Sequence, residues 1–158
     1  PLSFSNAIQA ACSEFGAFHT MIGHSQGANA VLHASVKGVV SSRIVLLAPL
    51  VSVESHLRRA CALVKLSAEG TELFLRKITE LVGVPPSDFE GHVMGSTLNM
   101  RTLIVHDCRD KEVPISEAET LANEMSLARL HISDGLGHRR LLADLDTVNQ
   151  VVSLMNET

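Results

Sequence analysis

Apolar and polar positions along the chain fall into two kinds of stretch that alternate. Strand-length apolar runs occur at Ala17-Phe18-His19-Thr20-Met21-Ile22, Arg43-Ile44-Val45-Leu46-Leu47-Ala48, Thr102-Leu103-Ile104-Val105-His106 and Ala128-Arg129-Leu130-His131-Ile132. The second run is unbroken up to Pro49, the pattern of a strand covered on both faces in a parallel sheet. Between and around these runs, apolar residues recur at helical spacing. Ala7, Ile8, Ala11 and Cys12 share one face ahead of Gly16, with Ser3 or Ser5 as the expected cap, and Ala28 to Val36 forms a second helix stopping near Gly38. A further helix should begin at Ser116, which stands in capping-box relation to Glu119, and run to about Ser126. Leu141, Leu142, Leu145, Val148, Val152 and Met155 make a broad closing stripe.

The pattern changes between Pro49 and Asn99. Helices are predicted over about 53–64 and 68–82, followed by the loop-like Gly83-Val84-Pro85-Pro86-Ser87-Asp88. Phe74, Leu75, Ile78, Leu81 and Val82 are expected to pack against the main body, and a helical lid formed from part of residues 50–99 is the alternative. The resulting order is helix, β-α-β, helical insert, β-α-β-α. It predicts an α/β fold with a mostly parallel sheet, right-handed crossovers and helices on both faces.

Composition narrows the picture. With 158 residues, 46% of them hydrophobic, the chain suits one compact domain over 1–158. A formal charge of -4 without a long basic run argues against nucleic acid or an anionic membrane as the main partner, and Arg58-Arg59 and Arg139-Arg140 read as solvated surface. Cys12, Cys61 and Cys108 are widely spaced and odd in number, which favours reduced thiols and a cytoplasmic setting. No apolar stretch has the length of a membrane span. Tryptophan and tyrosine are absent, so a ligand pocket would be walled mainly by Leu, Val, Ile and Met.

Candidate chemistry centres on Gly23-His24-Ser25-Gln26-Gly27, a G-x-S-x-G turn between a strand and a helix. A Cβ at position 23 or 27 is expected to meet the neighbouring strand or helix, and the corner is expected to need glycine's tolerance of strained backbone. In a parallel sheet, chemistry belongs in the loops after the carboxyl ends of the strands. That rule selects Ser25 after the first strand, Asp107 or Asp110 after the third and His138 after the fourth. A serine hydroxyl needs an imidazole to take its proton during attack, and a carboxylate behind the imidazole sets its tautomer and stabilises the imidazolium. Metal binding is the rival use of these residues, but the eight histidines show no H-x-x-x-H or H-E-x-x-H pair, and no metal or cofactor is expected.

With these motifs in place, the chain resembles the C-terminal part of an α/β-hydrolase. Gly23 to Gly27 matches the nucleophile elbow. His106-Asp107-Cys108-Arg109-Asp110-Lys111-Glu112-Val113-Pro114 is similar to the family's H-x-x-x-D-x-x-V-P segment, and Gly137-His138 matches its histidine loop. The resemblance implies Ser25 as nucleophile, His138 as general base and acid, and Asp110 as the orienting carboxylate, with Asp107 the runner-up. It further implies that the backbone N–H of Gln26 supplies one oxyanion donor. His24 and His106 are read as packing or hydrogen-bonding residues, and Cys108 as a small hydrophobe ahead of a reactive thiol. Intact members have further strands before the elbow, and a loop among them carries the second oxyanion donor. Only sixteen residues precede the first strand here, so either those elements lie upstream of Pro1 or the chain has lost a catalytic element. The implied activity is hydrolysis of carboxylic esters or thioesters through an acyl-enzyme. A non-catalytic binding module with an incomplete oxyanion hole is the alternative. If the chain stands alone, self-association through the bare edge of strand 17–22 is also expected.

Overall fold

A computed structural model describes residues 2–157. The four apolar runs form β1 (Phe18–His24), β2 (Ser41–Leu47), β3 (Arg101–Asp107) and β4 (Ala128–Ser133), a single sheet in the order β1-β2-β3-β4. Every pairing is parallel. Helix α1 (Leu2–Phe15) precedes β1, and α2 (Gln26–Val36) joins β1 to β2. The insert between β2 and β3 holds α3 (Val53–Leu63), α4 (Ala68–Val82) and α5 (Gly91–Ser96). Helix α6 (Ile115–Glu124) joins β3 to β4, and α7 (Gly137–Arg140) and α8 (Leu145–Asn156) close the fold. The register places His24 beside Leu47, Leu47 beside Val105, and Asp107 beside Ser133, so all four strands deliver their carboxyl ends to one rim.

Alternate residues of the central strands point to opposite faces. Ile44 and Leu46 of β2 and Ile104 of β3 meet Ala28, Val31 and Leu32 of α2, Met94 of α5, and Ala118 and Leu121 of α6. On the other face Val45, Leu47, Leu103 and Val105 meet Leu141 and Leu154. This two-sided cover explains the unbroken apolar runs. Arg43 is buried and donates to the Leu154 and Met155 carbonyls at 2.7 and 2.8 Å, a cation set against the carboxyl end of α8. Cover ends at β1, the edge strand. Ile22 is 51% exposed although its register partner Val45 is fully buried.

Several local expectations are corrected. Helix α1 begins at Leu2, and Ser5 lies inside it, fully buried and bonded to Gln9 and to His33 of α2, so neither Ser3 nor Ser5 caps it. Helix α6 follows Pro114 without a side-chain cap, and Ser116 is its second residue. The closing stripe is not one helix. A 3-10 turn over Leu141–Ala143 separates α7 from α8, whose true cap is Asp144, accepting from Thr147 N–H at 2.9 Å. Leu141 and Leu154 are buried, whereas Leu145 and Val152 face outward.

In the insert only Leu75 of the α4 stripe is buried, and Leu81 is exposed. The segment before β3 holds a 3-10 turn over Pro86–Phe89 and the unforeseen α5. Helix α5 packs closely against its neighbours: a Cβ at Gly95 would lie 2.7 Å from Leu121 Cδ1. Its glycines and its six-residue length hide the periodic signal that longer helices show. Among the described residues no helix is long and apolar enough to cross a membrane.

Candidate active site

Strand β1 ends at His24, and the chain turns into α2 through Ser25, whose φ of 54° and ψ of -121° lie outside the regions that L-residues favour. The corner is braced on both sides. Ser25 N–H donates to the Leu47 carbonyl at 2.9 Å, and the Ser25 carbonyl accepts from Ala28 and Leu50 N–H at 3.0 and 3.2 Å. A Cβ at Gly23 would sit 2.6 Å from both Ala28 Cα and the Gly27 carbonyl oxygen, so strand and helix meet there without room for a side chain. Gly27 is different. Nothing lies within 4 Å of a Cβ built on it, so the expectation that both glycines are sterically required holds for Gly23 alone, and the strain falls on Ser25 itself. Ser25 is half-buried and Gln26 is exposed. As the first residue of α2, Gln26 has no helical acceptor for its N–H.

The loop after β3 separates its two aspartates into different tasks. Asp110 Oδ1 accepts from Glu112 and Val113 N–H at 2.8 and 2.9 Å, while Oδ2 lies 2.7 Å from His138 Nδ1 and 3.4 Å from His106 Nε2. The Asp110 side chain has no exposed surface and that of His138 only 5%. Nδ1–H donation to the carboxylate leaves His138 Nε2 as the basic nitrogen.

Asp107 is buried and accepts from Arg109 N–H, Ser133 Oγ–H and Leu136 N–H at 2.8–2.9 Å. Burial by itself would raise its pKa. Donation from Gly137 and Leu136 N–H, the Ser133 hydroxyl and Arg109 N–H outweighs that and lowers it to about 2. Asp107 therefore anchors the backbone of the histidine loop, and Asp110 meets the imidazole.

The two other histidines near the rim hydrogen-bond, as expected. His106 is fully buried, with Nε2 3.0 Å from the Val113 carbonyl and Nδ1 without a partner. His24 Nε2 lies 2.9 Å from the backbone carbonyl of His138, and the two rings are 4.8 Å apart and tilted by 46°. No hydrogen bond joins Ser25 Oγ to His138 in this conformation; elbow and histidine loop are tied through His24. The reading of Cys108 as a small hydrophobe is corrected. It is exposed, and its S–H donates to Asp134, which pushes the thiol up and away from reactivity.

Sequence reasoning missed two supporting residues. Glu117 of α6 accepts from Val51 and Ser52 N–H at 2.8 and 3.1 Å and pairs with Arg59 at 2.7 Å, holding the loop that follows β2 beside the elbow. A glutamate in the first turn of a helix reads as solvated surface, so nothing local pointed to it. Asn29 is fully buried in α2, with Nδ2 donating to the Val51 and Phe89 carbonyls. A polar residue inside the apolar stretch Ala28 to Leu32 was the available signal.

Two clefts flank the acid loop. One of about 430 Å³ is lined by Arg109, Lys111, Glu112, Gly135, His138 and Arg140, and one of about 680 Å³ lies against α3, between His56, Ala60, Leu63 and Lys111. The cleft that reaches His138 is lined mainly by charged side chains and glycine.

No protein-family model matches the chain, and no curated protein sequence does. Solved structures do match in fold. An esterase from Exiguobacterium antarcticum superposes with a TM-score of 0.70 at 14% identity, over 97% of this chain and 72% of that one. An esterase from Pyrococcus furiosus gives 0.66 at 14% identity, over 98% and 59%, and an acetyl xylan esterase from a Paenibacillus species gives 0.66 at 21% identity, over 96% and 51%. The chain therefore spans 51–72% of the length of these structures. Four parallel strands in one sheet, with the serine turn after β1 and the paired Asp110 and His138 on the same rim, give this chain the α/β-hydrolase fold over the part of it that these residues cover.

Proposed function

We propose that the protein is a serine hydrolase that cleaves carboxylic esters or thioesters through an acyl-enzyme. Ser25 Oγ attacks the carbonyl carbon while His138 Nε2 takes its proton. Asp110 accepts from His138 Nδ1–H and stabilises the imidazolium. The oxyanion of the tetrahedral intermediate receives a hydrogen bond from Gln26 N–H, a donor of a kind whose loss typically costs about 3 kcal/mol of transition-state stabilisation. Collapse expels the alcohol or thiol with the proton from His138. Water, deprotonated by the same imidazole, then attacks the acyl group, and the acid leaves as Ser25 recovers its proton.

One observation carries this reading: the 2.7 Å contact between the buried carboxylate of Asp110 and His138 Nδ1, on a loop bonded to the residue next to Ser25. Helix α3 shares the cleft of about 680 Å³ with Lys111 and Glu112, so the insert reaches the acid loop. For the chain by itself, the edge of β1 that no strand covers among the described residues supports self-association between copies.

Labelling of the full-length protein with a fluorophosphonate probe tests the proposal. Labelling that is lost in Ser25→Ala and kept in Ser13→Ala is the expected result. Absence of labelling in the parent protein would favour a non-catalytic binding module on the same fold.

A further inference from the structure

Residue 24, between Gly23 and the serine, does more than fill space. His24 closes β1, and its side chain reaches a residue 114 positions later in the chain. Its Nε2 lies 2.9 Å from the carbonyl oxygen of His138, which can only accept, so Nε2 carries the proton. The recipient loop has little regular backbone hydrogen bonding of its own. Gly135 and Gly137 both have positive φ, and α7 is four residues long, too short to hold its own carbonyls firmly. Arg140 donates to the Leu136 and Gly135 carbonyls from within the turn, and three contacts from other segments bear on the residues around His138: Asp107 at the Leu136 N–H, Asp110 at the imidazole of His138, and His24 at the His138 carbonyl. Asp107 and Asp110 both belong to the β3 segment, so they set the histidine loop relative to the acid loop. His24 alone of the three sets it relative to the elbow.

We infer that His24 is a positioning residue of the reaction: its Nε2–H tether to the His138 backbone holds the imidazole in register with Ser25. This rests on the serine-hydrolase reading for its catalytic consequence, though not for the tether itself. Proton transfer from Ser25 depends steeply on this separation, and a displacement of about 1 Å can cost on the order of a hundredfold in rate. His24 Nε2 is engaged by the His138 carbonyl rather than free for a ligand, so substrate binding should change little.

The test compares wild type, His24→Leu and His24→Gln in the full-length protein. The glutamine amide N–H falls near the position of Nε2–H and can donate to the same carbonyl, whereas leucine cannot. In His24→Leu, fluorophosphonate labelling and kcat for an activated ester should fall about tenfold to a hundredfold, with KM changed less than about threefold. His24→Gln should recover most of the loss. An unchanged labelling rate in His24→Leu overturns the inference, as does a glutamine variant no better than leucine at equal Tm.

A second readout does not depend on catalysis. Imidazole 15N spectra of the wild type should show His24 in its Nε2–H form, with that proton protected from exchange. A Nδ1–H form, or rapid exchange, overturns the tether even if the enzyme labels. If Ser25 does not label at all while the Nε2–H form is present, the hydrolase reading fails and the tether stands.

Discussion

His138 Nδ1 and Asp110 Oδ2 are 2.7 Å apart, in a contact whose carboxylate has no exposed surface. Asp110→Asn keeps an oxygen for the Glu112 and Val113 N–H groups but presents an amide N–H to the imidazole, forcing the opposite tautomer on His138. The expected result is a fall in kcat of about 10⁴-fold with a small change in Tm. A loss of less than about tenfold in steady-state ester hydrolysis would remove Asp110 from the mechanism.

Asp107 gives a prediction about stability. Its pKa is about 2 in the folded chain against an ordinary value of 3.8, so its carboxylate binds a proton more weakly when folded than when unfolded. The stabilisation is fully present well above pH 3.8, where both states are ionised, and is lost as pH falls through 3.8 to about 2. It should amount to about 2 kcal/mol at neutral pH. Urea unfolding at several pH values checks this: Asp107→Asn should be less stable than wild type at pH 7, and the gap should shrink towards pH 2. A gap independent of pH would show that lost hydrogen-bond geometry, rather than charge, is responsible.

The glycines of the serine turn should respond oppositely to the same change. Gly23→Ala places a methyl group 2.6 Å from two backbone atoms of Gly27 and Ala28, and backbone cannot yield as a side chain tip can. A loss of about 3 kcal/mol is expected. Gly27→Ala adds a methyl to open space inside α2 and should leave stability unchanged or raise it by up to about 1 kcal/mol. Thermal melts of the two variants decide the matter, and similar losses in both would contradict the geometry.

In the 158-residue chain by itself, the uncovered edge should matter at high concentration. β1 pairs with β2 on one side, and among the described residues no strand pairs with it on the other. The expected behaviour is concentration-dependent association at micromolar levels in sedimentation. Ile22→Lys puts a charge on a half-exposed apolar position of that edge and should shift the protein towards monomer. A wild type that sediments as a monomer throughout would dismiss association through β1.

Much of this molecule was legible before its structure. The four strands, their order and the rim that carries residues 25, 110 and 138 follow from short-range patterning. An apolar run of strand length or a helical spacing is written in neighbouring residues, and parallel connections leave few topologies. Local signals misled where a cap or a stripe had competitors: Ser116 yields the helix start to the residues after Pro114, and the stripe from Leu141 to Met155 breaks at Asp144. The motif resemblance ranked Asp110 ahead of Asp107, and the tertiary structure supplies the contacts that separate them. Asp107 and Asp110 lie three positions apart, and only the path of a loop 26 to 29 residues further on sends one to Ser133 and Leu136 and the other to the imidazole. Likewise the bond from His24 to His138, the hold of Glu117 on Val51 and Ser52, and the exposure of Cys108 depend on contacts between segments remote in the chain. Periodicity records which face of an element is apolar; the partner of each polar group is settled only when the sheet brings distant loops to one rim.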